Sequence, residues 1–152
     1  MRLLIHIDGG ARGNPGEAGF GVHVSDLDGG AITGLYGYLG TQTNNIAEYA
    51  ALIAALRYAI SAGAASVLIR SDSELLVRQI QGVYRVKNAG LLPMFEASKR
   101  LIARLPKVTL EHVPRARNKE ADRLANEAMD TRGDDPPGVS AGMPLPRSGG
   151  AA

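Results

Sequence analysis

The stretch LLIHIDGGARGNPG, Leu3 to Gly16, is the one whose reading decides the fold. Its opening residues are apolar apart from His6 and read as a buried strand, Leu3 to Asp8. Asp8 ends that strand, and glycine or proline fills five of the next eight positions. A carboxylate at the end of a buried strand is costly without a partner, and Gly-Pro loops are where a backbone comes close to a ligand. A second strand is expected over Phe20 to Ser25, with Phe20, Val22 and Val24 alternating against Gly21 and His23. Asp28-Gly29-Gly30 signals a turn, and Ala31 to Gly40 follows as a third strand, completing an antiparallel meander.

Beyond the meander the period changes. Tyr49, Leu52, Ile53, Leu56 and Ile60 recur at helical spacing within Asn44 to Ala62, and Gly63 is a natural stop. Ser66 to Asp72 carries the unbroken run Val67-Leu68-Ile69, as expected of a strand covered on both faces. Ser73 to Gln81 predicts a short helix closed by Gly82, Leu91 to Leu105 another entered near Pro93, and Lys107 to Pro114 a fifth strand. Asn118 suits the N-cap of a last helix, in which Ala121, Leu124, Ala125, Ala128 and Met129 form one apolar face. This order implies an α/β fold, a mixed sheet with helices packed on it, over residues 1–130. Thr131 to Ala152 holds nine Gly or Pro in 22 residues, buries too little surface to offset its ordering entropy, and is expected to be a disordered tail or linker.

Bulk properties narrow the function. The 152 residues suffice for one domain with a real core, and 45% hydrophobic with 21% charged residues is ordinary for a globular protein. With no cysteine, disulfides and thiolate metal sites are excluded. No apolar run is long enough to span a bilayer and no secretory pattern opens the chain, so a cytoplasmic protein without membrane association is expected. Charge is regional: Met1 to Val77 has four Lys or Arg against seven Asp or Glu, whereas Arg78 to Arg123 has eleven against four. Such a basic block suits a polyanion, nucleic acid first, although a solvated basic surface has the same composition.

Four carboxylates fall at element ends or in helix first turns: Asp8, Glu48, Asp72 and Asp122. Each has an ordinary alternative. Asp72 before Ser73 suits a helix cap, and Glu48 and Asp122 suit first-turn acids beside a helix dipole. Asp8 has no dipole to account for it. If the four converge they require cations, and all-oxygen ligation favours Mg²⁺ or Mn²⁺. Paired ions of that kind commonly serve phosphodiester hydrolysis.

The segments IDGGARGNPG, TNNIAEYAAL, IRSDSELLV and ARNKEADRLANEA, in that order, resemble the ribonuclease H type I family. The resemblance runs from about Leu3 to Met129 and implies a five-stranded mixed sheet of strand order 3-2-1-4-5 with helices on both faces. It implies that Asp8, Glu48, Asp72 and Asp122 are metal ligands for Mg²⁺, with Mn²⁺ as a substitute. The implied activity is endonucleolytic cleavage of the RNA strand of RNA–DNA hybrids, leaving 5′-phosphate and 3′-hydroxyl ends. A hybrid-binding module without catalysis is the competing expectation, disfavoured because all four acids are present; a broader nuclease acting also on double-stranded RNA is another.

By the same resemblance, Asn14, Asn44 and Asn45 match readers of 2′-hydroxyls and base edges, while Thr43 and Asn88 match a DNA-phosphate pocket. Two departures stand out. GVYRVKNAG, between Gln81 and Leu91, is too short for the extra helix and basic protrusion of many members, leaving Arg85, Lys87, Lys99 and Arg100 as substitutes in gripping DNA. The histidine expected before the last helix is absent, and VPRARNKEAD puts Arg115 in its place, as in the archaeal and actinobacterial branch. Arginine cannot shuttle a proton near neutral pH but can neutralise a phosphate. His6, His23 and His112 read as sheet residues. The chain is expected to be monomeric, and its tail is compatible with a further C-terminal domain in a longer parent chain.

Overall fold

The computed structural model describes residues 1–146. Its strands are β1 (Arg2–Arg12), β2 (Gly16–Ser25), β3 (Ala31–Gln42), β4 (Ser66–Ser71) and β5 (Val108–His112). Its helices are α1 (Asn44–Ser61), α2 (Glu74–Ile80), α3 (Leu92–Ile102) and α4 (Lys119–Thr131), with a 3-10 turn at Arg115–Arg117. The sheet order is β3-β2-β1-β4-β5, antiparallel among the first three and parallel for β1-β4 and β4-β5. This is the mixed five-stranded sheet expected. Among the described residues no helix is long and apolar enough to cross a membrane.

The first strand outruns its expected end. β1 continues past Asp8 to Arg12, with Gly9 to Arg12 paired against Glu17 to Phe20, so only a tight turn around Asn14 and Pro15 separates it from β2. Gly9, directly after Asp8, serves packing rather than a loop. A Cβ on Gly9 would run into the backbone of Ala47 and Glu48 in α1, whereas one on Gly21, opposite Asp8 in register, would run into Ala121 and Ala125 of α4. Because strand side chains alternate, the two glycines mark opposite faces of the sheet. Helix α1 therefore lies on one face, over Leu3, Ile5, Ile7, Phe20, Val22 and Val24, all buried, and α4 lies on the other.

Helix α4 spans β1 to β3 only, which corrects the expectation that β4 is covered on both faces. Val67, Ile69 and Ser71 are buried, but Leu68 is only partly so. The N-cap expectation also changes: Asn118 precedes α4 but makes no capping bond, and its side chain reaches β1 instead.

The C-terminal segment departs most from expectation. After α4, Arg132 turns the chain through the left-handed region, and residues 133–146 lie as a strap along β3 and α1. Tyr36 and Asp135 exchange two backbone hydrogen bonds of 2.9 Å, and the Tyr38 N–H donates to Asp134 Oδ1 at 2.9 Å. The Arg57 guanidinium donates to the carbonyls of Ala141 and Gly142 at 2.8 and 3.1 Å. Val139, Met143 and Leu145 pack against the core. Composition alone counts what this segment buries by itself; β3, as an edge strand, offers unpaired N–H groups that reward its ordering. Residues 147–152, the rest of the expected tail, lie outside the described residues.

Candidate active site

The parallel register of β1 and β4 ends at Ile7 opposite Ser71. Asp8 and Asp72 come next, where the two strands part, so backbone pairing brings these carboxylates to one rim. Asp72 is not a cap: Ser73 occupies that position, its Oγ accepting the Leu76 N–H at 3.2 Å. Glu48 is not a first-turn acid either. Helix α1 starts at Asn44 and is capped by Thr43, whose Oγ1 accepts the Ile46 N–H at 3.3 Å, and Glu48 lies a turn further in, 7% exposed. Its carboxylate accepts the Gly9 N–H, which the close approach of α1 to β1 makes possible. Asp122 does lie in the first turn of α4, as expected, and from there borders the same cleft.

One carboxylate oxygen from each of Asp8, Glu48 and Asp72 lies within 4.8 Å of the others. Asp122 lines the cleft beside this cluster, as do Asn44, Asn45 and Arg115, in a space of about 440 Å³. Burial, then the charge of Asp72, then contact with Asp122, push the Asp8 carboxyl up to about 8, opposed by the Arg115 guanidinium. Burial, with the charges of Asp8 and Asp72, holds Glu48 well above the ordinary carboxylate range, against the Gly9 N–H and the Ser73 hydroxyl. Carboxylates this close cannot all ionise unaided; protons or a cation must neutralise them. The donors are oxygen only, since none of the three histidines lines the cleft, which fits a hard divalent cation.

The expected nucleic-acid contacts divide. Asn14 Oδ1 accepts the Asn44 N–H at 3.0 Å, and Asn44 Oδ1 accepts the Ala11 N–H at 2.7 Å, tying the β1–β2 turn to the start of α1. Both retain their amide NH₂ groups as donors, and Asn45 is exposed at the cleft. Asn14, Thr43, Arg85, Lys87 and Asn88 do not line the cleft; Asn88 Oδ1 accepts the Gly90 N–H at 2.8 Å in an exposed loop that also carries Arg85 and Lys87. Lys99 and Arg100 are exposed on α3, and His112 is exposed at the end of β5.

Among the lining residues that sequence reasoning missed are Arg12 and Asn126. Arg12 donates to Asn126 Oδ1 at 3.1 Å and pairs with Asp130 at 2.7 Å, while Asn126 Nδ2 donates to the Asp122 carbonyl at 3.0 Å. Their signal was periodic. Arg12 shares a strand face with Asp8 and Gly10, and Asn126 lies one helical turn beyond Asp122.

A family model described as reverse transcriptase-like matches residues 6–128. The bifunctional protein Rv2228c of Mycobacterium tuberculosis is 43% identical over 131 residues, which cover 86% of this chain and 36% of that protein. Ribonuclease HI of Halobacterium salinarum is 39% identical over 129 residues, covering 85% of this chain and 65% of the relative. The chain thus spans little more than a third of the first curated relatives it matches, 36% of their length. Among solved structures, LC11-RNase H1 in complex with an RNA/DNA hybrid superposes with a TM-score of 0.82 at 44% identity, over 86% of this chain and 98% of that one.

Proposed function

The chain belongs to the ribonuclease H-like family, and on that premise we propose that it is a Mg²⁺-dependent endonuclease cutting the RNA strand of RNA–DNA hybrids. The observation that carries this is the cluster of Asp8, Glu48 and Asp72, with Asp122 and Arg115 on the same cleft. Asp8, Glu48, Asp72 and Asp122 would hold the cation, with Mn²⁺ as a substitute. When bound, such a cation supplies positive charge against a phosphodiester and lowers the pKa of water.

The chain's own groups do the rest. Arg115 sets a fixed positive charge on the cleft, suited to a phosphate oxygen. Asn44 and Asn45 offer amide donors that suit the 2′-hydroxyls and base edges of an RNA strand. Arg85 and Lys87, outside the cleft, suit the DNA strand's phosphates as non-specific contacts. Hydrolysis that breaks the bond from phosphorus to the 3′ oxygen leaves 5′-phosphate and 3′-hydroxyl ends.

The test is cleavage of an end-labelled RNA–DNA hybrid with Mg²⁺, Mn²⁺ or EDTA, by wild type and Asp72→Asn in parallel. Cuts confined to the RNA strand, dependent on the cation and absent in the variant, are the expected result. Hybrid binding without cleavage by the wild type would replace this proposal with a binding module, and equal cutting of duplex RNA would broaden the substrate class.

A further inference from the structure

Asn118 is 1% exposed and is the least conventional polar residue beside the cleft. It precedes α4 yet caps nothing with its side chain. Instead its Nδ2 donates to the carbonyl of Ile7, the residue before Asp8, at 2.8 Å. Its backbone carbonyl accepts the Asp122 N–H at 3.1 Å, and its backbone N–H donates to the Arg115 carbonyl at 2.9 Å. One residue therefore touches the main chain beside or at three residues of the cleft. Only the bond to Ile7 needs the asparagine side chain; the other two survive any substitution that keeps the helix start.

We infer that Asn118 is a positioning residue, whose side-chain bond to Ile7 holds Asp8 in register with Asp122 and Arg115. Three observations support a role beyond filling space. Asn118 Oδ1 is buried with no hydrogen-bond partner, a cost that an apolar side chain of similar size would avoid. The bond joins residues 111 positions apart, across the gap between the middle of β1 and the start of α4. The glycine at position 21 lets α4 lie against the sheet beside Asp8 but exerts no directional hold, so a specific bond is needed to set the sliding position of the helix. Groups that orient ligand-bearing elements in this way commonly change cation affinity by 10- to 100-fold when removed.

This rests on reading Asp8 and Asp122 as cation ligands, and the experiment separates the two. Serine caps helices well but is too short to reach the Ile7 carbonyl, so Asn118→Ser keeps the start of α4 and removes only the long-range bond. Mn²⁺ is titrated calorimetrically into the full chain without substrate, for wild type, Asn118→Ser and Asn118→Ala, well below each variant's Tm. The expected result is a Kd for Mn²⁺ raised about tenfold or more in both variants. In hybrid cleavage at saturating cation, kcat falls while KM for the hybrid is unchanged.

Wild-type Mn²⁺ affinity in folded Asn118→Ser would overturn the positioning role and leave a merely structural residue. Should Asn118→Ala not fold, the serine variant decides alone. A wild type that binds no Mn²⁺ would instead sink the cation reading, and the inference with it.

Discussion

Asp8 and Asp134 are two partly or wholly buried aspartates with opposite fates. Asp134, in the strap, accepts hydrogen bonds from the Tyr38 N–H, the Ser140 N–H and the Ser140 hydroxyl at 2.9, 2.9 and 2.6 Å, so both of its oxygens are occupied by the chain itself. Asp8, in the cleft, faces Asp72 and Asp122 instead, and its carboxyl is pushed up to about 8. The difference separates an acid whose charge the chain itself satisfies from one whose charge it leaves uncompensated. Paired donors make the first a fixed part of the structure; crowded acceptors make the second dependent on something outside the chain.

Replacing Asp8 tests that contrast most severely. Asp8→Asn is expected to reduce hybrid cleavage below detection while raising the Tm of the cation-free protein, because it removes a carboxyl from a crowded, buried site. Unchanged cleavage in a hydrolysis assay, or a lowered cation-free Tm, would place Asp8 with Asp134 as a structural acid.

Next comes pH. Asp8 and Glu48 hold protons in the folded chain at pH values where the unfolded chain has released them. Their contribution to stability is therefore fullest below the ordinary carboxylate pKa of about 4 and declines as pH rises toward about 8. The slope is about 1.4 kcal/mol per pH unit for each proton retained. Thermal melts in EDTA from pH 5 to 8 should show a falling Tm, saturating Mg²⁺ should restore it at pH 8, and Asp8→Asn should flatten the profile.

Gly21→Ala probes how the cleft is held together. Its new methyl would meet the backbone of Ala121 and Ala125, forcing α4 away from Asp8. A loss of about 3 kcal/mol in denaturant unfolding is expected, accompanied by a marked fall in kcat as Asp122 moves. The smallest effect belongs to the strap: Asp134→Ala should lose about 2 kcal/mol and leave kcat unchanged, since none of its partners lies at the cleft. A fall in kcat there would mean that the strap and cleft are coupled.

Much of the site was legible because its signals are local. IDGG, TNN, SDS and EADRLA place an acid at a strand end or near a helix start, and three of those acids do converge. The strap was illegible for the opposite reason. Gly138, Gly142 and four prolines between Pro136 and Pro146 describe a segment without a core of its own, and nothing within it announces the unpaired edge of β3. Local chemistry also misassigned one role: Asn118 sits where a cap belongs, yet its side chain bonds to β1.

By itself the sequence determined the alternation of strands and helices and singled out the four acids as candidates, since periodicity and residue chemistry are written residue by residue. Tertiary structure alone decided that Asp8, Glu48 and Asp72 share one cluster, that Arg12 and Asn126 join its wall, and that a Gly/Pro-rich segment is ordered. The physical reason is common to all three. A raised carboxyl pKa, a satisfied edge strand and a helix seated on a glycine are properties of distances between residues far apart in the chain, and those distances exist only once the sheet has formed.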